Sequence, residues 1–448
     1  MGHHVSVMVE PDKVRRAGYA PTNVGLGRRG LHTRQAILGA AARLFLDRGF
    51  HGTSIDAIAK AAGGSRATIY QYFEDRDDIY RELAAQCVPA MLDHAARLGP
   101  LGPDVEGMRN LFGWLDQWSD LYDEHAVVLL GLPGSRPANG MSGDPDPVSD
   151  QYVSVVADRT RAAPLEAITA EDAAAAAIRI AHMVNLYRYR GMWELPDART
   201  VTASLAVALQ LLLFPDTPRA VLDAVASQAD STPITTPETT TAARSARAVI
   251  AQAGPLSPTR SDIVAAASAL FAERGYYAVA MDDIASAADV SRATLYRHFR
   301  TKVAILSELT ERAVVAGAGL AADLLDLADH GFTRDSLHAW LARYAGFHRA
   351  YVSVIQTWYD GGLNRQLTDA VSAGLGPFQE AATALLARAG LPEGIDLRVG
   401  AAIFLAVLGR LTEMTMARRP AGTDDDSADL MLMVLSRALS LSSSIDMS

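Results

Sequence analysis

The chain has almost no cysteine and almost no lysine. Its single thiol, Cys87, cannot close an internal disulfide and excludes any cysteine-based zinc or iron–sulfur centre. Only Lys13, Lys60 and Lys302 are lysine among 41 basic residues, so cationic contacts fall almost entirely to arginine. Long apolar runs are also missing. The two richest, Ser204–Phe214 and Ala401–Gly409, fall short of the roughly 18–20 residues that cross a bilayer. The opening MGHHVSVMVEPDKVRR lacks the apolar stretch of a secretion signal. Alternating strand patterns are nearly absent, and so are the G-x-S-x-G, Walker A and H-E-x-x-H signatures. The expectation is an all-α, soluble, cytoplasmic protein with no membrane association, no cofactor and no catalysis.

What is present is a repeat. At an offset of 226, TRQAILGAAARLFLDR (33–48) lies over TRSDIVAAASALFAER (259–274), and SRATIYQYF (65–73) over SRATLYRHF (291–299). Over the 44 positions from Thr33 to Arg76, 20 are identical to the second copy. With 448 residues, the offset is close to half the chain, so one whole unit is duplicated. The Thr/Pro-rich stretch 231–242, STPITTPETTTA, reads as the linker between copies, and 131–150 as a long loop inside the first. Residues 420–427 read as a solvated acidic stretch.

In the first copy, Ile37, Ala41, Leu44 and Phe45 share one face of a helix over about 33–48, which Gly49 ends. Ser54 starts a second helix, in which Ile55, Ile58, Ala59 and Ala62 face inward. After Gly63–Gly64, Ser65 caps a third over 66–72. Ile263, Ala267, Leu270, Phe271, Ile284, Ala285 and Ser291 repeat the pattern. Three short helices, the last two joined by a tight turn, form a helix-turn-helix whose third helix is small and polar outside.

These motifs resemble the DNA-binding domain of the TetR family of bacterial transcriptional regulators. The resemblance rests on Ile37, Ala40–Ala41, Leu44–Phe45, Gly49, Ile58–Ala59, Ser65, Thr68, Tyr70 and Phe73 with their counterparts, about 45 residues per copy. It implies an order of parts: a basic arm (1–31), a first helix-turn-helix domain (32–78), a first helical ligand-binding domain (79–228), a linker (229–257), a second helix-turn-helix domain (258–303), a second ligand-binding domain (304–419), and an acidic tail with a short C-terminal helix (420–448). It further implies that Ser65, Arg66, Thr68, Tyr70, Gln71 and Tyr72 lie on or beside a groove-facing helix. Their equivalents are Ser291, Arg292, Thr294, Tyr296, Arg297 and His298, with Lys302 just beyond. Hydroxyls and helix N-terminal amides suit phosphate oxygens, while Gln71 suits adenine and Arg297 guanine.

The copies differ in charge. Residues 290–302 hold Arg292, Arg297, Arg300 and Lys302 without an acid, whereas Glu74, Asp75, Asp77 and Asp78 follow the first recognition helix. The net charge of −10 gives no global attraction to DNA, but a local basic footprint suffices. Double-stranded operator DNA of asymmetric sequence is the expected partner. Beyond the motifs, Trp114, Trp118, Tyr122, His125, His182 and Asn185 gather in one copy and Trp340, Tyr344, His348 and Tyr351 in the other. They are candidates for binding a hydrophobic effector of fatty acyl, steroid-like or drug-like character, with core packing as the competing explanation. In the family, two late helices per subunit pair across a dimer. Here Ala173–Tyr189 and Val201–Phe214 belong to the first copy and Ala401–Met416, beside Phe378–Ala389, to the second, so both partners lie in one chain as an intrachain pseudo-dimer, with Asp429–Leu441 an amphipathic helix that covers an interface; a homodimer with four reading heads is the alternative. The function implied is repression released by the effector. The alternative is an interaction scaffold derived from such a regulator that has lost DNA binding in one or both copies.

Overall fold

A computed structural model describes residues 28–130, 147–161, 163–165, 168–226, 257–359, 363, 367–418 and 422–441. Most of the N-terminal arm, the loop over 131–146 and the linker at 231–242 lie outside these residues. Among the described residues every regular element is an α-helix. In the first copy these are α1 (Arg28–Arg48), α2 (Ile55–Ala61), α3 (Arg66–Tyr72), α4 (Arg76–Ala96), α5 (Val105–Leu129), α6 (Pro147–Thr160), α7 (Ala170–Arg190), α8 (Ala198–Leu213) and α9 (Arg219–Ala226). The second copy has α10 (Pro258–Arg274), α11 (Met281–Ala287), α12 (Arg292–His298), α13 (Lys302–His330), α14 (Arg334–Trp358), α15 (Thr368–Ala389), α16 (Leu397–Arg418) and α17 (Asp424–Ala438).

The chain divides into two compact units, Met1–Gln86 and Cys87–Ser448. In the first, α1 and α2 pack together, and α2 on α3. Ile37, Ala41, Ile58, Ile69 and Phe73 are buried there, on the faces that the periodicity marks. Gly49 follows α1 at φ 73° and Gly63 turns the chain between α2 and α3 at φ 70°, both in the left-handed region where a Cβ is unfavourable. The residue 226 positions after Gly63 is Asp289, which holds the same turn at φ 51°.

The second unit contains the rest. Within it, α10 packs on α13 and α14, and α13 lies along α15. The two copies meet through α7 against α16 and α8 against α16 and α17. Small side chains let these helices approach: Ala173–Ala176 are fully buried on α7, and Thr200–Leu213 are buried all round α8. Polar ties also cross between copies. The Asp396 amide donates to Ser204 Oγ (3.0 Å), Arg437 to the Pro164 carbonyl (3.3 Å), and Arg219 pairs with Glu393. The helices of the second unit are thus joined as an intrachain pseudo-dimer.

Four details differ from the sequence reading. Helix α1 begins at Arg28, so the last residues of the expected arm are helical, and Pro147–Asp150 of the expected loop already belong to α6. The stretch 420–427 is not uniformly solvated. Thr423 accepts a bond from the Asp426 amide, Asp424–Asp426 occupy the positive end of α17, and Ser427 and Ala428 are buried. The amphipathic helix expected over Asp429–Leu441 starts earlier, as α17, and it rather than Phe378–Ala389 packs on α8; Phe378–Ala389 belongs to α15 and packs on α13. Finally, Leu397–Ala417 is long and apolar enough to cross a membrane by composition, yet 83% of that window is buried inside the protein, as in a core helix.

The repeat register explains the third point. Moving 226 positions on from Ile55, Arg66, Arg76 and Ala198 lands on Met281, Arg292, Lys302 and Asp424, the starts of α11, α12, α13 and α17. Helix α17 is therefore the second copy of α8, carried in register long after sequence identity has faded.

Candidate nucleic-acid interface

Each recognition helix is built by its own cap. Ser65 Oγ accepts from the Thr68 amide (3.2 Å) while Thr68 Oγ1 accepts from the Ser65 amide (3.4 Å), a reciprocal box. Ser291 Oγ accepts from the Thr294 amide (3.1 Å) in the second copy. These four hydroxyls serve the helix start first, and their remaining capacity faces solvent. Ile69 and Leu295 point inward; Gln71, Tyr296 and Arg297 are exposed, and Tyr70, Tyr72 and His298 are half-buried.

Arginine at the first helical position is engaged in both heads. Arg66 pairs with Asp56 (3.3 Å) and donates to Tyr70 Oη (3.3 Å), which holds its already high pKa higher still. Arg292 pairs with Asp282 (2.8 Å). These exposed pairs are worth little to stability, so a phosphate can displace the acid at small cost. Among the described residues Arg297 has no such acid in its own head and is the more available cation.

Lys302 is placed differently from its neighbours on the basic stretch. Its Nζ donates to the carbonyls of Tyr276 (2.7 Å), Tyr277 (3.3 Å) and Val279 (2.7 Å), above the Tyr276 ring. Burial holds its pKa below the ordinary lysine value. Arg76, its counterpart, donates to the carbonyls of His51 (3.3 Å) and Thr53 (2.9 Å) over Phe50. In both copies this cation fastens the loop between the first two helices.

A second fastening recurs. Arg34 pairs with Glu82 (2.9 Å) over Phe73, and Arg260 with Glu308 (2.7 Å) over Phe299. The bond from Arg34 holds Glu82 below the usual carboxylate range. Burial opposes the same shift at Glu308, where Arg260 and Arg312 outweigh it. Arg260 also donates to the His298 carbonyl at the end of α12 (3.2 Å). The sequence reading missed these pairs. Their signal was available: Arg34/Arg260, Glu82/Glu308 and Asp56/Asp282 are each repeated at the 226 offset. The acids after α3 also have structural work, since Asp75 Oδ1 accepts from the Asp78 amide (2.7 Å) and Asp78 Oδ2 from the Glu74 amide (3.0 Å).

The candidate effector residues separate into two clusters. In the first copy Trp114, Trp118, Tyr122 and His182 come together, joined by His94 and Tyr152, which the sequence did not single out. His94 Nε2 lies 2.9 Å from the Trp114 carbonyl, which can only accept, so Nε2 carries the proton and Nδ1 accepts from Tyr152 Oη (2.7 Å). Tyr122 Oη donates to the His182 carbonyl (3.0 Å) and lies 2.7 Å from His182 Nδ1. Burial drives the pKa of His94 down to about 4 and that of His182 to about 3, so both are neutral near pH 7. Asn185 instead bonds back to the Ala181 carbonyl (2.9 Å), and His125 marks a kink in α5 beside Glu124.

In the second copy Trp340, Tyr344 and His348 stack along α14 with Phe347 and Phe378; Tyr351 touches Phe347 at the edge. His348 Nε2 meets Glu413 (3.3 Å), which pairs with Arg410 (2.5 Å).

Residues 37–83 and 263–309 each match the family described as "Bacterial regulatory proteins, tetR family". Curated relatives include the HTH-type transcriptional regulator AcrR of Shigella flexneri, 49% identical over 51 residues, or 11% of this chain and 24% of that protein. The HTH-type transcriptional activator FasR of Mycolicibacterium smegmatis is 40% identical over 60 residues (13% and 27%). The HTH-type transcriptional repressor BepR of Brucella suis is 45% identical over 51 residues (11% and 24%). The chain spans about a quarter of the length of these relatives. Among solved structures, Salmonella enterica GusR is 21% identical with a TM-score of 0.30, covering 42% of this chain and 98% of that one.

Proposed function

We propose that the chain is a regulator of the TetR family, whose DNA-binding domain residues 37–83 and 263–309 each match, and that it represses transcription in the cytoplasm from an asymmetric operator. The observation that supports this most is the pairing of like scaffolds with unlike readers. The two heads share their caps and arginine fastenings, yet the exposed reading position holds Gln71 in one and Arg297 in the other. Glutamine suits adenine and arginine suits guanine, so the two half-sites differ in sequence. Ser65, Arg66, Thr68, Tyr70, Tyr72, Ser291, Arg292, Thr294, Tyr296 and His298 position the heads on the backbone, and Lys302 contributes indirectly by fixing the loop beneath α12.

Release follows from an effector, hydrophobic in character, that binds the aromatic clusters and favours a second arrangement of the helices leading out of the heads. The test is a footprint of the full chain on the DNA around its own gene at rising salt. Protection of an unlike pair of half-sites, with affinity falling by about 0.9 log unit per log unit of salt for each phosphate neutralised, supports operator recognition. No protection there or on genomic fragments refutes it and favours the scaffold reading.

A further inference from the structure

Resting on the effector-released regulator above, we propose that sensing belongs to the first copy alone, and that its ligand is an uncharged molecule presenting hydrogen-bond acceptors to the indole N–H groups of Trp114 and Trp118. Both side chains are only 2% exposed, and neither Nε1 has a partner. An indole N–H can only donate, and leaving one buried and unmet forfeits its hydration with nothing in return. The two lie in one cluster, with ring centroids 6.1 Å apart. His182 Nε2 is a third unpartnered atom beside them. With Tyr122 Oη donating to the His182 carbonyl, His182 Nδ1 donates to Tyr122, and Nε2 is left as an acceptor. The cluster thus presents two donors and one acceptor.

No formal charge sits among these rings. Arg97 is engaged with Gln117, and Arg188 and Arg190, whose fields reach Tyr122 at the edge of the cluster, are engaged with Ser119 and the Tyr359 carbonyl. Arg179 bonds the Ala175 carbonyl, and Arg410, whose field reaches His182, is paired with Glu413. A carboxylate would therefore enter without a dedicated cation.

The second copy lacks this arrangement position by position. In place of His94, Trp118, Tyr152 and His182 it has Leu320, Tyr344, Phe378 and Leu408. Trp340, the counterpart of Trp114, donates to the Leu320 carbonyl (2.9 Å), and Phe378 packs against Trp340 and Tyr344. The unmet side-chain atoms of this half include His348 Nδ1, on a ring already held by Glu413, and Thr310 Oγ1 and Ser427 Oγ, but the indole N–H of this ring cluster, that of Trp340, is met. This half is filled by its own side chains.

The test is calorimetry of the full chain, without DNA, against three probes on one ring system: 2-acetonaphthone, 2-naphthoate and naphthalene. 2-Acetonaphthone binds once per chain, at least tenfold more tightly than the other two. Trp114→Phe and Trp118→Phe, which keep an aromatic ring and delete the donor, each weaken it about tenfold. Independently of any variant, two of the five indole N–H resonances of the wild-type chain move on adding 2-acetonaphthone while that of Trp340 stays. Two sites per chain, equal binding of 2-naphthoate, a comparable loss in Trp340→Phe, or no binding of any probe overturns the proposal. A negative result here leaves operator recognition standing, and an absent footprint leaves a positive binding result standing.

Discussion

Replacing Glu413 by leucine tests how the two copies are held together. Arg410 lies on α16 where that helix meets α7, and is only 5% exposed. Its guanidinium sits over the Tyr359 ring and has Glu413 as its acid at 2.5 Å. Burial alone would lift the Glu413 carboxyl; Arg410, His348 and Arg179 outweigh it and hold the group below its ordinary range. Removing the acid strands a buried cation, which costs about 3–5 kcal/mol when both partners are enclosed. The side chain of Glu413 is 20% exposed, so water reaches the site and the lower end, about 3 kcal/mol, is expected. Arg410→Leu/Glu413→Leu removes both charges and returns to within about 1 kcal/mol of wild type, giving a coupling of about 2 kcal/mol or more. Urea unfolding followed by tryptophan fluorescence measures this in the right place, since all five tryptophans follow Cys87 and report the second unit. With a slope near 3 kcal/mol/M, Glu413→Leu lowers the midpoint by about 1 M. Because the folded pKa is depressed, this stabilisation is present above about pH 4.3 and fades as pH falls further in wild type, but not in the leucine variant. A loss under about 1 kcal/mol, or a double variant as unstable as the sum of the singles, refutes the reasoning.

Asp289→Gly relieves a left-handed aspartate at the turn where the first copy has Gly63, and raises the stability of the second helix-turn-helix by about 0.5–1 kcal/mol; slower amide exchange in α11 and α12 is the readout, and faster exchange contradicts it. Lys302→Met leaves three carbonyls without their ammonium and destabilises that head, whereas Lys302→Arg, which copies Arg76, is tolerated; equal melting curves for the two variants would dismiss the fastening. His94 is neutral when folded and protonates below about pH 6.5 when unfolded, so unfolding releases stability as pH drops from about 6.5 towards 4. The loss is about 2 kcal/mol by pH 5, and a His94→Gln chain whose urea midpoint varies with pH as steeply as wild type disproves it. Arg297→Ala weakens operator binding by about 1–3 kcal/mol and relaxes the choice of base in one half-site only; uniform weakening across sequences would make it a phosphate contact instead.

The first turn of each reading head was legible because the information is local. Ser65 and Ser291 announce caps, Gly49 and Gly63 announce left-handed positions, and the apolar spacing of Ile37, Ala41 and Phe45 marks a buried face. The charge asymmetry was legible too, but its meaning was not. That Lys302 points at carbonyls depends on where a loop 25 residues away passes, whereas the capping of α4 by Asp75 and Asp78 is local and follows from acids placed just before a helix. The aromatic clusters were half visible. Trp114, Trp118 and Tyr122 recur at helical spacing on α5, whereas His94 and Tyr152 arrive from other helices and carry no pattern of their own. Helix α17 was legible in part: the amphipathic run Asp429–Leu441 marks a helix at an interface, whereas its acidic first turn, Asp424–Asp426, resembles a tail by composition although the repeat offset places it over the start of α8.

That covalent joining of α7 and α8 to α16 and α17 changes how the protein responds to its own abundance. A regulator assembled from separate subunits loses its paired form as it becomes scarce, and occupancy of its site then falls with the square of subunit concentration. Here the second half is present at an effective concentration set by the chain itself, so dilution does not separate the pair. Under the proposed function, with one chain on each operator, occupancy follows the first power of the number of molecules, down to a few copies per cell. The same joining frees each reading head from the other's sequence: a substitution alters one half-site alone, where in a homodimer it would alter both at once.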